Sequence, residues 1–109
     1  MNTENIKVFS LSDDMIILAE LVSYSTRYLI MKNPLHLYLE WNEETEEVDY
    51  DFLDYYSQDI FPLNTEIKLY YNNIVVEGYP EVEILLQYIA TIKLNKKQSS
   101  NHKLKSTIH

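Results

Sequence analysis

Between Met15 and Trp41 the chain runs MIILAELVSY, Ser25-Thr26-Arg27, YLIMK, Asn33-Pro34 and LHLYLEW. Three apolar, β-favouring runs are therefore joined by very short polar connectors. Parallel strands need a crossover of a dozen or more residues between them, whereas antiparallel strands accept tight links. The stretch is a β-meander, and the rest of the chain has to be arranged around it.

Strand signals continue on both sides. Ile6–Leu11 (IKVFSL) forms a first strand, ended by Ser12-Asp13-Asp14, whose short side chains bond back to their own backbone and favour a turn. Met15–Tyr24 is apolar almost throughout, the pattern of a strand covered on both faces. Leu35, Leu37, Leu39 and Trp41 alternate with His36, Tyr38 and Glu40, which predicts a half-buried strand with the first set inward. Ile67, Leu69 and Tyr71 against Lys68 and Tyr70 repeat the pattern. Asn72-Asn73 then predicts a tight turn, because Asn tolerates positive φ, and Ile74-Val75-Val76 is a last strand.

Gly78-Tyr79-Pro80 punctuates the chain, and Pro80 suits a first helical turn. Val82, Leu85, Leu86 and Ile89 lie at helical spacing, with Glu81 and Glu83 at one end and Lys93, Lys96 and Lys97 at the other, each complementing the helix dipole. The expectation is a helix over about 80–95 closing a single domain, 1–95. Residues 96–109 have no periodicity and are expected to form a disordered basic tail.

Charge divides the chain. Of 109 residues, 1–95 hold all 17 acids against five bases, a balance of −12, while 96–109 hold four lysines and no acid. From Glu40 to Asp59 there are nine acids and no base, interleaved with Tyr50, Phe52, Tyr55 and Tyr56. Like-charge crowding opposes compaction, so 42–65 is expected as an acidic insertion, a long connection held by its aromatics instead of a regular strand.

Several classes of function are excluded or disfavoured. A single glycine, Gly78, leaves no phosphate-cradling loop of the Walker or Rossmann kind, and no nucleotide cofactor is expected. The absence of cysteine removes disulfides and thiolate metal sites. Without a long apolar run or a secretory leader pattern, a soluble cytoplasmic protein without membrane contact is expected. His36, His102 and His109 are dispersed, and no nucleophile–base or paired-carboxylate arrangement appears, so no enzyme is expected. Asp49, Asp51 and Asp54 could attract a hard cation, but the glycine turn and terminal bidentate glutamate of a calcium loop are missing. A solvated insertion without metal is the better reading, with a partner surface next.

Five strands in meander order, with a late strand–Asn-Asn–strand unit, resemble the Sm-like fold over about Ile6 to Val76. Ala19, Leu21, Tyr24, Ser25 and Leu29 stand in the order of that family's first motif, and Leu69, Tyr70-Tyr71, Asn72-Asn73 and Ile74 in the order of its second. The scaffold positions match. The uridine-holding ones differ, since Ser25 replaces an aspartate, Leu29 an asparagine, and Tyr70-Tyr71 an arginine-glycine pair. The helix also follows the barrel instead of preceding it, and the acidic segment between the motifs is long. With IILAE, Lys32-Asn33-Pro34 and a C-terminal helix, the chain is most similar to the small Sm-like proteins of tailed phages, including cyanophages.

The resemblance implies a mostly β fold, a five-stranded, strongly bent, partly open SH3-like barrel with a C-terminal helix. It implies a homo-oligomeric ring of about five to seven copies, because a partly open barrel leaves strand borders that pair head-to-tail with the next copy. Leu37 and Leu39, on the strand from Leu35 to Trp41, and Ile74, Val75 and Val76 are the expected interface. RNA or an RNA-processing protein is the implied partner, in the host cytoplasm if the gene is a phage's. Arg27 falls where RNA-binding relatives stack a side chain on a base, and Tyr70 and Asn72 lie in the second motif. The alternative is a ring that offers an acidic rim to a basic protein and binds no RNA.

Overall fold

The computed structural model describes residues 2–55 and 62–106, with 96–106 as backbone alone. Strands β1 (Ile6–Leu11), β2 (Ile16–Tyr24), β3 (Tyr28–Asn42), β4 (Glu47–Asp54), β5 (Ile67–Tyr70) and β6 (Ile74–Gly78) precede one helix, α1 (Val82–Ser106). The strands form a single antiparallel sheet in the order β4-β3-β2-β1-β6. β5 lies alongside the first part of β3 and β4 alongside its second part. The fold is mostly β with a C-terminal helix, as expected, but the sheet has six strands and not five.

The sheet has to curl. Strand spacing of about 4.8 Å would set β5 and β6 roughly 19 Å apart in a flat sheet, with β3, β2 and β1 between them. The link from Tyr70 to Ile74 is the 3₁₀ turn Tyr71–Asn73, and four residue steps reach at most about 14 Å. The two borders are drawn together at this corner. No ladder joins β5 to β6 among the described residues, so the sheet does not close into a barrel. Asn72 and Asn73 make the corner without positive φ, contrary to expectation; among the described residues the left-handed non-glycine ones are Asp14, Asn33, Glu46 and Asn64.

The expected break at Asn33-Pro34 is a bulge within one continuous strand. Leu18 pairs Leu35 and Glu20 pairs Lys32, so both Asn33 and Pro34 stand opposite Ala19. Asn33 takes φ 54°, and proline, which cannot donate to a ladder, is tolerated at such a site. The extra residue reverses the inward face. Leu29 and Met31 enter one core with Phe9, Ile17 and Leu69, whereas Leu35 and Leu37 enter another with Ile6, Leu18 and Phe52. Two cores, one on each face of the sheet, explain why β2 has no clean alternation.

The second core is roofed by α1. Tyr88 and Ile92 are buried in it, with Ile84, Leu85 and Ile89 packed alongside, one apolar stripe at helical spacing. The helix continues to Ser106 instead of ending near 95, so the expected disordered tail is helical backbone as far as that residue. No glycine or proline interrupts 82–106, and lysine and glutamine are good helix formers. Among the described residues no helix is long and apolar enough to cross a membrane.

The acidic connection is also corrected, because Glu47–Asp54 is a regular strand, β4. Its pairing with β3 sets Phe52 opposite Leu37, Tyr50 opposite Leu39 and Val48 opposite Trp41. Apolar cross-strand pairs of this kind each stabilise a ladder by about 0.2–1 kcal/mol. Carboxylates at Asp49 and Asp51 point to the other face and stay in water, so their mutual repulsion is weak. At the tip, Asn42 accepts from the backbone N–H of Glu44 and Thr45 and donates to Asp49. The part of the insertion at 56–61 lies outside the described residues.

Candidate functional site

Two turns distant in sequence meet at the corner between β5 and β6. The backbone N–H of Tyr71 donates to the carbonyl of Arg27 (3.1 Å), and the Tyr71 hydroxyl to the carbonyl of Ser25 (2.6 Å). The β2–β3 turn, Ser25 to Arg27, is thereby fixed against the 3₁₀ turn carrying Asn72. Arg27 and Asn72 are both exposed. The sequence places them 45 residues apart; the corner makes them neighbours of one small surface.

The β3–β5 ladder supplies the rest. Tyr28 pairs directly with Tyr70 and Leu29 with Leu69. Since alternate residues face opposite sides, the leucines enter the core and the tyrosines face out. The two rings meet edge to face, centroids 5.5 Å apart, a favoured geometry for aromatic pairs. Lys68 on the same face places its ammonium 4.8 Å from the centre of the Tyr28 ring, within cation–π range. Tyr70 remains 47% exposed, enough to offer a flat face.

The electrostatics of this corner run against those of the whole chain. Leu21–Leu39 and Ile67–Val76, the segments that build it, contain no aspartate or glutamate and carry Arg27, Lys32 and Lys68. Lys32 is paired with Glu20 at 3.9 Å. Arg27 and Lys68 are left as the corner's outward cations. Sequence reasoning picked out Arg27, Tyr70 and Asn72 but missed Tyr28 and Lys68. The available signal was the alternation of Lys68 and Tyr70 with Leu69, which sets both on one outer face.

Next to the corner, Lys7 is held in a closed cluster. Its ammonium donates to the Tyr24 hydroxyl (2.8 Å) and pairs with Glu77 (3.3 Å), with the rings of Tyr24 and Tyr79 5.6 and 5.3 Å away. The bond to Tyr24, followed by the Glu77 contacts, raises the Lys7 pKa above the ordinary lysine value. Glu77 balances this cation locally, so the cluster pins β6 to β1 and β2 and adds no charge to the corner.

The expected interface residues divide. Leu37 is buried in the protein's own core beneath α1, and Ile74 packs partly against the other core. Leu39, Val75 and Val76 are exposed. Since β3 is paired with β4 over Leu35–Asn42, the borders of the sheet are β4, β5 and β6, each with one neighbour among the described residues. No group of three His, Asp or Glu that could hold a metal occurs among the described residues. No protein-family model and no curated protein matches the chain.

Proposed function

We propose that this protein is an Sm-like module of the phage type that assembles into rings and takes single-stranded RNA at the β5–β6 corner. The observation that carries the reading is the corner at which the half-exposed Tyr70 ring meets Tyr28 and Lys68, with exposed Arg27 next to Tyr28 in the chain. Single-stranded nucleic acid is held by this combination, with cations along the backbone and an aromatic face under a base. The corner joins the two segments whose sequence resembles the Sm motifs, and the replaced uridine-holding residues leave stacking and phosphate contact as the mode of binding. Ring assembly is supported by the borders of β5 and β6, each paired on one side only among the described residues, which suit head-to-tail pairing with further copies.

Fluorescence anisotropy with labelled oligo-U and oligo-A at low and moderate salt tests the RNA reading, and light scattering tests the ring. Binding that weakens with salt and with loss of Tyr70 is expected, from a particle several times the mass of one 13.0 kDa chain. A second reading, a protein-interaction ring that ignores RNA, is favoured by the acidic β3–β4 hairpin. It requires no anisotropy change at any salt.

A further inference from the structure

The β3–β4 hairpin extends past the helix that covers its base. On one face the pairs Leu37–Phe52, Leu39–Tyr50 and Trp41–Val48 form a continuous apolar stripe. Leu37 and Phe52 are buried under α1, but Trp41 is 59% and Val48 54% exposed. Immediately beyond that last pair, the turn carries Glu43, Glu44 and Glu46, and Glu40–Asp54 as a whole holds eight acids and no base. An uncovered apolar strip bounded by one sign of charge is suited to a partner that is apolar and basic together.

The chain carries such a partner itself. Besides its buried stripe, α1 exposes Val82, Leu86, Ala90 and Leu94, a second row at i, i+4 spacing. From Lys93 to Ser106 the helix has five lysines and no acid. One chain cannot satisfy both surfaces internally. α1 begins beyond β6, at one border of the sheet, and by Asn95 it has reached β4 at the other, where Asn95 contacts Asp54. Its inner stripe is by then committed to the core.

We propose that a second copy of this chain docks the outer row of α1, from Leu86 through Leu94 with the lysines that follow, against the apolar face of the β3–β4 hairpin. Burying Trp41 and Val48 against Leu86 and Leu94 supplies the apolar part of the contact. The basic stretch from Lys93 to Ser106 complements in charge the acidic hairpin of Glu40–Asp54. The contact uses no strand border and none of the corner residues, so it is independent of the RNA reading.

Trp41 is the only tryptophan in the chain, and its emission therefore reports this face alone. In the full-length protein, emission is expected to move to shorter wavelength as concentration rises through the micromolar range. About 0.5 M salt should shift that transition to at least roughly tenfold higher concentration. The variant Lys93→Glu/Lys96→Glu/Lys97→Glu should abolish it, with far-UV circular dichroism and the urea midpoint showing that the variant is folded. Leu94→Asp should do the same without reversing the lysines, whereas Arg27→Ala should leave it intact. Emission of a water-exposed indole at every concentration would overturn the proposal. So would a transition that survives the lysine variant but vanishes in Val76→Lys, which would assign the contact to the strand borders.

Discussion

The Tyr88 hydroxyl donates to the backbone carbonyl of Asn33, joining the second turn of α1 to the bulge in β3. Asn33 is buried at the bulge, where an unpaired backbone carbonyl is costly. Burial, with a further contribution from the charge of Glu20, raises the Tyr88 pKa far above the ordinary tyrosine value. The phenol is therefore a permanent donor. Tyr88→Phe keeps the ring in the core and removes only the hydroxyl; a loss of about 1–3 kcal/mol is expected from urea denaturation, with no change in fold.

Asn33 is fixed from its other side by Asn64. The Asn64 backbone N–H donates to the Asn33 side-chain oxygen at 2.8 Å, and the two amides bond at 3.2 Å. Both residues hold positive φ, 54° and 68°. Asn33→Gly retains the backbone conformation and loses the amide contacts, whereas Asn33→Ala loses both. The alanine variant should therefore be the less stable of the two, by about 1 kcal/mol in the same denaturation experiment.

Phe52 and Trp41 lie on the same apolar stripe with opposite exposure. Phe52→Ala opens a cavity between β4 and Tyr88, whose ring lies 6.0 Å away, and should cost about 3–5 kcal/mol. Trp41→Ala at low protein concentration should change stability by no more than about 0.5 kcal/mol. Paired thermal melts at low protein concentration check the contrast.

The Lys7 cluster makes stability depend on pH at the alkaline end. A lysine whose folded pKa is raised above its unfolded value contributes fully below the ordinary value of 10.5 and loses the contribution as pH rises through the folded value. The gap in melting temperature between the wild type and Lys7→Met should be constant from neutral pH to about pH 10 and narrow above it.

At the corner, charge and stacking separate by their response to salt. Arg27→Ala should weaken RNA binding and lower the slope of log affinity against log salt by about one. Tyr70→Ala should cost about 1–3 kcal/mol with the slope unchanged. Anisotropy titrations at three or more salt concentrations distinguish the two.

Strand periodicity, turn chemistry and the helical stripe were legible because each is set within a few residues. The alternation of Ile67 and Leu69 with Lys68 and Tyr70 assigns inner and outer faces whatever lies opposite, and Asp13 accepts from the Met15 N–H at the first turn as its short side chain predicts. The run from Met15 to Tyr24 was expected to be covered on both faces, and this holds only as far as Leu21, since Val22, Ser23 and Tyr24 are exposed. By contrast, Leu39 and Trp41 have the same alternation as Leu35 and Leu37 yet stay exposed, because cover depends on how far α1 reaches. Asp49 and Asp51 argued against a strand, and the partners Leu37 and Leu39 overrode them. One residue of bulge at Asn33 exchanged the faces of β3, and the fit of Tyr71 against Arg27 created the corner. These outcomes were decided by pairing and packing between segments remote in sequence, so local pattern could name the elements but not what each would face.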